Sequence, residues 1–270
     1  SMDKFLLYFS LIAFMLYGCS SNNNIENTKI EEEKPEELIL EAKNFLKDEN
    51  YDLATDLFKK IEKNFPLSIE AIESQTMLGF ISYLKMDYSD AIYVYNKIIK
   101  RYPSYNQLDY VYYMRAICYY EQINDEQLDG NNNFKALENF NQVINRFPSS
   151  KYSQDSRQKI ILVKQNIAAK HMDIGMYYLK NKKYLASMNR FKIVIEDYSE
   201  TKFTPEALYR LVEIYYILGM KNEAINTASV ISYNYPKSKW YSYSYNLVAD
   251  NKDEKKFLDN IKKFFSKKNE

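Results

Sequence analysis

Of 270 residues, one is histidine, two are cysteine, one is tryptophan, five are glycine and six are proline. Each scarcity removes a class of explanation. The single histidine, His171, leaves no spare parts for a Ser-His-Asp arrangement or a histidine-rich metal site. Its place in a helical pattern reads as a packed or half-exposed helix residue. After Cys19 the only other cysteine is Cys118, so no disulfide framework is available to the body and its stability must come from packing. Cys118, between Ile117 and Tyr119, reads as a small buried apolar residue rather than a nucleophile. Glycine-rich phosphate loops are absent. Acidic pairs such as Glu36-Glu37 sit at a helix start, where carboxylates favour the dipole. Neither sign of charge dominates: 37 basic against 36 acidic side chains give +1, with no isolated basic stripe before the C-terminus, which argues against nucleic acid. The reading is of a protein that is not an enzyme, with no metal and no diffusible cofactor.

Tyrosine is abundant, at 27 residues, but the chain is also crowded with Asn, Lys and Ile, the bias of an AT-rich genome. Only tyrosine positions, not their number, therefore carry information. Phe5 to Tyr17 forms a nearly unbroken apolar run that follows Lys4 and stops at Gly18. It is too short to cross a bilayer, which takes about 20 residues, and has the layout of a secretory signal. Leu16, Gly18 and Cys19 resemble the lipobox of bacterial lipoproteins. That resemblance implies a signal peptide over 1–18 and Cys19 as the acylated first residue, its lipid being the one covalent group expected. Ser20, where an aspartate would retain the protein at the inner membrane, implies outer-membrane delivery. Residues 19–34 are polar and acidic, ending Glu31-Glu32-Glu33-Lys34, and too poor in apolar side chains to fold. As a flexible tether they would span roughly 20–25 Å.

The rest repeats. An aromatic residue, mostly followed by proline, recurs at Phe65-Pro66, Tyr102-Pro103, Phe147-Pro148, Tyr198-Ser199 and Tyr235-Pro236. Eleven positions before each aromatic lies a small residue: Ala54, Ala91, Ala136, Ser187 and Ala224. Twelve before that come Ala42, Gly79, Gly175 and Val212, while in the third copy Ala116 is separated from Ala136 by an insertion of eight. Small residues on facing helices allow close antiparallel approach. Phe58, Tyr95, Phe140 and Phe191 follow four residues after the second small residue, and Ile61, Ile98, Val143, Val194 and Ile231 seven after it, making the apolar stripe of a second helix. Proline then ends that helix. This pattern resembles the tetratricopeptide repeat and predicts an all-α superhelix of five helix-turn-helix units plus a C-terminal cap. The expected units are 35–68, 72–105, 109–150 with the insertion, 153–201 with an extended first helix, 205–238, and a cap with a basic amphipathic tail over 239–270. In that tail Phe257, Leu258, Ile261, Phe264 and Phe265 share one face, suited to capping the solenoid more than to membrane contact.

The irregularities narrow the resemblance. The segment Asp109 to Arg115, the insertion around Asp125 to Asn133, and the long stretch through Ala168 to Tyr178 leading into Tyr184 follow the order seen in the BamD family, also called YfiO or ComL. That family supplies repeat lipoproteins of the β-barrel assembly machinery. The resemblance implies attachment to the periplasmic side of the outer membrane. It also implies binding to the periplasmic POTRA region of BamA, company with other assembly-machinery lipoproteins, and capture of the C-terminal targeting strand of unfolded outer-membrane proteins. A receiving groove on the first three repeats would draw on Tyr83, Tyr112, Arg115 and Tyr119, since rings supply rigid contact area and arginine grips a carboxylate bidentately. The same tyrosines are also placed to pack between helices. BamA contact is expected over about 184–229, with Arg190 and Arg210 as candidate cations. The alternative is another lipid-anchored scaffold of the envelope, a pilus-secretin pilot protein or a Tol-associated coordinator. The former usually has more uniform repeats and the latter a preceding coiled coil.

Overall fold

The computed structural model describes residues 33–124 and 131–249. Among them are eleven α-helices and no strand: α1 (Pro35–Lys47), α2 (Tyr51–Asn64), α3 (Ile69–Leu84), α4 (Tyr88–Arg101), α5 (Leu108–Glu121), α6 (Asn132–Arg146), α7 (Lys151–Lys180), α8 (Tyr184–Asp197), α9 (Thr204–Ile217), α10 (Lys221–Asn234) and α11 (Lys239–Val248). A single 3-10 turn, Gln122–Asn124, continues α5 towards the insertion. Successive helices pair from α1 with α2 through α9 with α10, and each pair also packs on the next, so the chain is a tetratricopeptide-like solenoid.

The small residues stand where two helices touch. Ala42, Ala116, Val212, Ala54, Ala91, Ala136 and Ser187 are all fully buried, as are Phe58, Tyr95, Phe140 and Phe191. A Cβ added to Gly79 would meet Tyr95 Cε1 at 2.9 Å, and one added to Gly175 would meet Phe191 Cε1 at 2.6 Å. In the fifth unit the sizes are exchanged: Val212 lies on the first helix, and Ala228 takes the place held by an aromatic elsewhere in the same apolar cluster. Contact is thus kept by complementary volume rather than by one residue type.

Both kinds of turn repeat in hydrogen-bonded detail. Asn50, Asp87, Lys183 and Met220 donate their N–H groups to the carbonyls of Phe45, Ser82, Tyr178 and Tyr215 at 2.8–2.9 Å, closing Schellman motifs at the ends of α1, α3, α7 and α9. Between units, Phe65, Tyr102, Phe147, Tyr198 and Tyr235 each accept, through their carbonyls, from the N–H three residues on. Ser68, Ser150 and Ser238 then cap α3, α7 and α11 with their hydroxyls. Where Tyr198-Ser199 lacks the proline, Thr204 Oγ1 donates to both of their carbonyls.

Each Schellman turn places one residue in the left-handed region, at Glu49, Met86, Lys182 and Gly219, with φ of 59°, 60°, 58° and 73°. Only the last is glycine, and Met86 is exposed. Met86→Gly is therefore expected to stabilise the chain by about 0.5–1 kcal/mol, seen as a higher melting temperature. A lower one would mean that the side chain contributes more than its backbone strain costs.

The fourth unit departs from the pattern of the others. Its first helix, α7, is continuous for 30 residues, about 45 Å. The N-terminal half of α7 packs on the third unit: Ser153 Oγ donates to the carbonyls of Val143 and Phe147, and Tyr113 Oη donates to Asp155 Oδ2 at 2.6 Å. At the far end α11 covers α9 and α10, with Val248 buried. This short helix closes the fifth unit, while the basic stretch 255–265 lies outside the described residues.

Candidate functional site

Three of the four candidate groove residues come together on α5. Tyr112, Arg115 and Tyr119 follow the three-and-four spacing of one helical face and point into the layer formed by the second helices of the second and third units. Arg115 donates from Nη1 to Asn96 Oδ1 on α4 at 2.8 Å and from Nη2 to Gln142 Oε1 on α6 at 2.7 Å. Its guanidinium carbon lies 4.9 Å from the centre of the Tyr112 ring, and that of Arg146 lies 5.3 Å from the same ring. Phe147 meets Tyr112 edge-on at 5.5 Å, and Lys135 Nζ stands 5.8 Å from the Tyr119 ring.

Burial changes how this face is read. Tyr112 is 6% exposed and Arg115 9%, so both form the floor between α4 and α6 rather than an open lining. Desolvation pulls the Arg115 guanidinium below its usual pKa, opposed by Tyr112, Tyr119 and Glu138, while neighbouring Arg146 lowers it further. Its Nε is buried with no hydrogen-bond partner, and among the described residues no carboxylate forms an ion pair with it. Arg146, one residue before Phe147, was not singled out by sequence. The only hint is that it lies four after Gln142 on the stripe of α6 that faces Arg115.

Tyr83 sits apart from this face. It is half-buried against Phe80 at 6.1 Å and Tyr88 at 5.9 Å, and burial raises its pKa, as do Glu121, Tyr88 and Cys118. Cys118 is fully buried, and desolvation, with Glu121, pushes its thiol up to about 12, consistent with the packing role read from sequence.

The two candidate partner cations are engaged rather than open. Arg190 Nη1 lies 3.4 Å from His171 Nδ1, and the half-buried imidazole stacks on Tyr198. Burial and then Arg190 lower the His171 pKa. Arg210 is held at 3.2 Å by Glu206 and at 3.0 Å by Glu213 on its own helix, α9, and covers the rings of Tyr209 at 5.3 Å and Trp240 at 5.4 Å. Trp240, Tyr209 and Tyr243 form a mutual cluster with centroids 5.3–5.8 Å apart, and Tyr243 is half exposed. Trp, Tyr and Arg are the residues that most often carry binding energy at interfaces. Trp240 escaped the sequence reading because it lies beyond the fifth repeat, in the segment assigned to the cap.

Two clefts open at the turns between units. One, of about 500 Å³, is lined by Leu67, Ile69, Ile72, Arg101, Tyr102 and Tyr105 among others, and Leu67 is almost wholly exposed. Its neighbour, of about 350 Å³, shares Tyr105 and runs to Phe147 and Pro148. Among the described residues no helix is long and apolar enough to cross a membrane, and no group of three His, Cys, Asp or Glu gathers. The expected lipidation residue, Cys19, lies outside the described residues.

Residues 31–247 match the model of the YfiO family, described as an outer membrane lipoprotein. The outer membrane protein assembly factor BamD of Caulobacter vibrioides is 38% identical over 242 residues, covering 89% of this chain and 79% of that protein. BamD of Rickettsia prowazekii is 37% identical over 251 residues, covering 92% and 98%. Among solved structures, a thermophilic tetratricopeptide-repeat protein of Thermus thermophilus overlays with a TM-score of 0.39 at 16% identity, covering 80% of this chain and 99% of the other.

Proposed function

The chain belongs to the YfiO family of outer membrane lipoproteins, and on that premise we propose that it is a non-enzymatic subunit of the outer-membrane β-barrel assembly machinery. The observation that carries this reading is the extent of the match, which runs through all five units, the insertion and the long α7. In this role Cys19 bears the lipid that holds the body on the periplasmic side of the outer membrane, and no other cofactor is needed. The fourth and fifth units, with Arg190, Arg210 and the adjoining Trp240 cluster, dock the POTRA region of BamA beside other assembly-machinery lipoproteins. The second and third units, around Tyr112, Arg115 and Tyr119, with Tyr83 to one side, receive the C-terminal strand of unfolded outer-membrane proteins.

Rings and guanidinium groups support the peptide part of the reading, because an aromatic residue ending in a carboxylate needs an apolar contact and a cation together. Copurification tests the whole: the lipidated chain is expected to retain a large barrel protein bearing POTRA domains. Recovery of a secretin would instead favour a pilot-protein role, and the chain's single tryptophan, Trp240, gives a fluorescence signal for docking at the fifth unit.

A further inference from the structure

We infer that Arg146, rather than the buried Arg115, is the group that holds the ligand carboxylate, with Tyr112 and Arg115 fixed beneath it. The inference rests on the peptide reading above and names the residue that would discriminate its ligand. Arg115 is nine-tenths buried, both of its terminal nitrogens are bonded to neutral side-chain oxygens, and its Nε is enclosed. Two of its five N–H groups are committed and a third, on Nε, is enclosed, so depth limits what it can offer an incoming chain. Arg146 is exposed on α6, lies over the same Tyr112 ring, and forms no ion pair among the described residues.

The local charge balance points the same way. Arg115 and Arg146 bring two cations to the Tyr112 ring, and Lys135 stands over Tyr119 farther along α6. Glu138 is the one carboxylate that acts on Arg115, and it faces Gln142 Nε2 at 3.5 Å. Arg210, by contrast, is bracketed by two glutamates, and Lys43, Lys97 and Lys164 each have one. Two guanidinium groups held against one ring repel each other, and an anion between or above them relieves that repulsion. The ring and the adjoining Phe147 give such an anion an apolar seat, so the fitting ligand is a carboxylate carried next to an aromatic or aliphatic group. Guanidinium geometry admits it bidentately.

The test measures binding of two peptides to the full chain. Both end in phenylalanine, one as the free acid and one as the C-terminal amide. The wild type is expected to bind the free acid about tenfold more tightly. Arg146→Gln should abolish that difference while leaving the amide unchanged, and Arg146→Lys should restore only part of it. Arg157→Gln removes an exposed cation from α7 and serves as the charge control; it should keep the full difference. Retained discrimination in Arg146→Gln, or equal loss in Arg157→Gln, overturns the role of Arg146 while peptide capture stands. Absence of any binding by either peptide overturns the peptide reading and this inference with it.

Discussion

Gly175→Val is expected to destabilise the chain by about 2–3 kcal/mol, the cost of overpacking a site that cannot expand. Even the first added carbon would stand 2.6 Å from Phe191 Cε1 and 2.9 Å from Cζ. Phe191 is fully buried, so any shift of its ring presses on its packed neighbours. The backbone cannot retreat either, because Ser187 Oγ donates to the Gly175 carbonyl at 2.8 Å and fixes the distance between α7 and α8. Helix propensity works in the opposite direction, since glycine inside a helix costs about 1 kcal/mol relative to alanine. Gly175→Ala should therefore be the milder change, and pairing it with Phe191→Leu should recover stability that neither substitution has alone. Denaturant midpoints of the four proteins in that cycle give the coupling. An additive pair, or a Gly175→Val midpoint equal to that of the wild type, would mean that the two helices do not approach as closely as these distances require.

That contact was legible in the sequence because its cause is local and periodic. Gly175, Ser187 and Phe191 are spaced twelve and four apart, as are Gly79, Ala91 and Tyr95, and five units in register leave little freedom in how helices pair. The long first helix of the fourth unit is expected for the same reason, from helical periodicity running from about Ser153 to Lys180. The compensation at Val212 and Ala228 could not, because a larger residue on one helix looks like a weakened repeat until its smaller partner is seen beside it. Nor does the pattern mark the residues that turn left-handed at Glu49, Met86 and Lys182. Their conformation is imposed by the Schellman turn against their own preference, so residue type gives no signal.

The candidate site was less legible because its residues were chosen for chemistry, whereas their roles follow from depth. An arginine beside tyrosines on one helix face suggests a ligand grip, yet the same spacing carries Arg115 beneath the gap between α4 and α6, where Asn96 and Gln142 each accept from it. Depth of this kind depends on two helices that sequence places 19 residues before and 27 after it. The same holds for Arg210, which Trp240, from beyond the repeats, covers. In both cases the cation named from sequence is engaged by its neighbours, and the exposed members of the group, Arg146 and Tyr243, are other residues.

Arg115 itself gives the second large effect, and the order of its variants separates a buried cation from an ordinary core side chain. Arg115→Lys is expected to lose about 2–3 kcal/mol. An ammonium cannot reach Asn96 and Gln142 at once, it loses the planar contact with Tyr112, and it leaves a compact, strongly hydrated charge where no carboxylate forms an ion pair with residue 115 among the described residues. Arg115→Met keeps the length and removes the charge. Asn96 is exposed and Gln142 is partly so, so both can turn to water, and the loss should be nearer about 1 kcal/mol. Chemical denaturation, with equal slopes confirming an unchanged fold, reads the difference. Lysine tolerated better than methionine would mean that Arg115 contributes as a positive charge rather than through its fork of bonds. Because the methionine variant stays folded, its affinity for a free-acid peptide isolates what the buried charge adds beneath Arg146. Long-range attraction from a group with no contact to the ligand predicts a small loss there, well below that of Arg146→Gln.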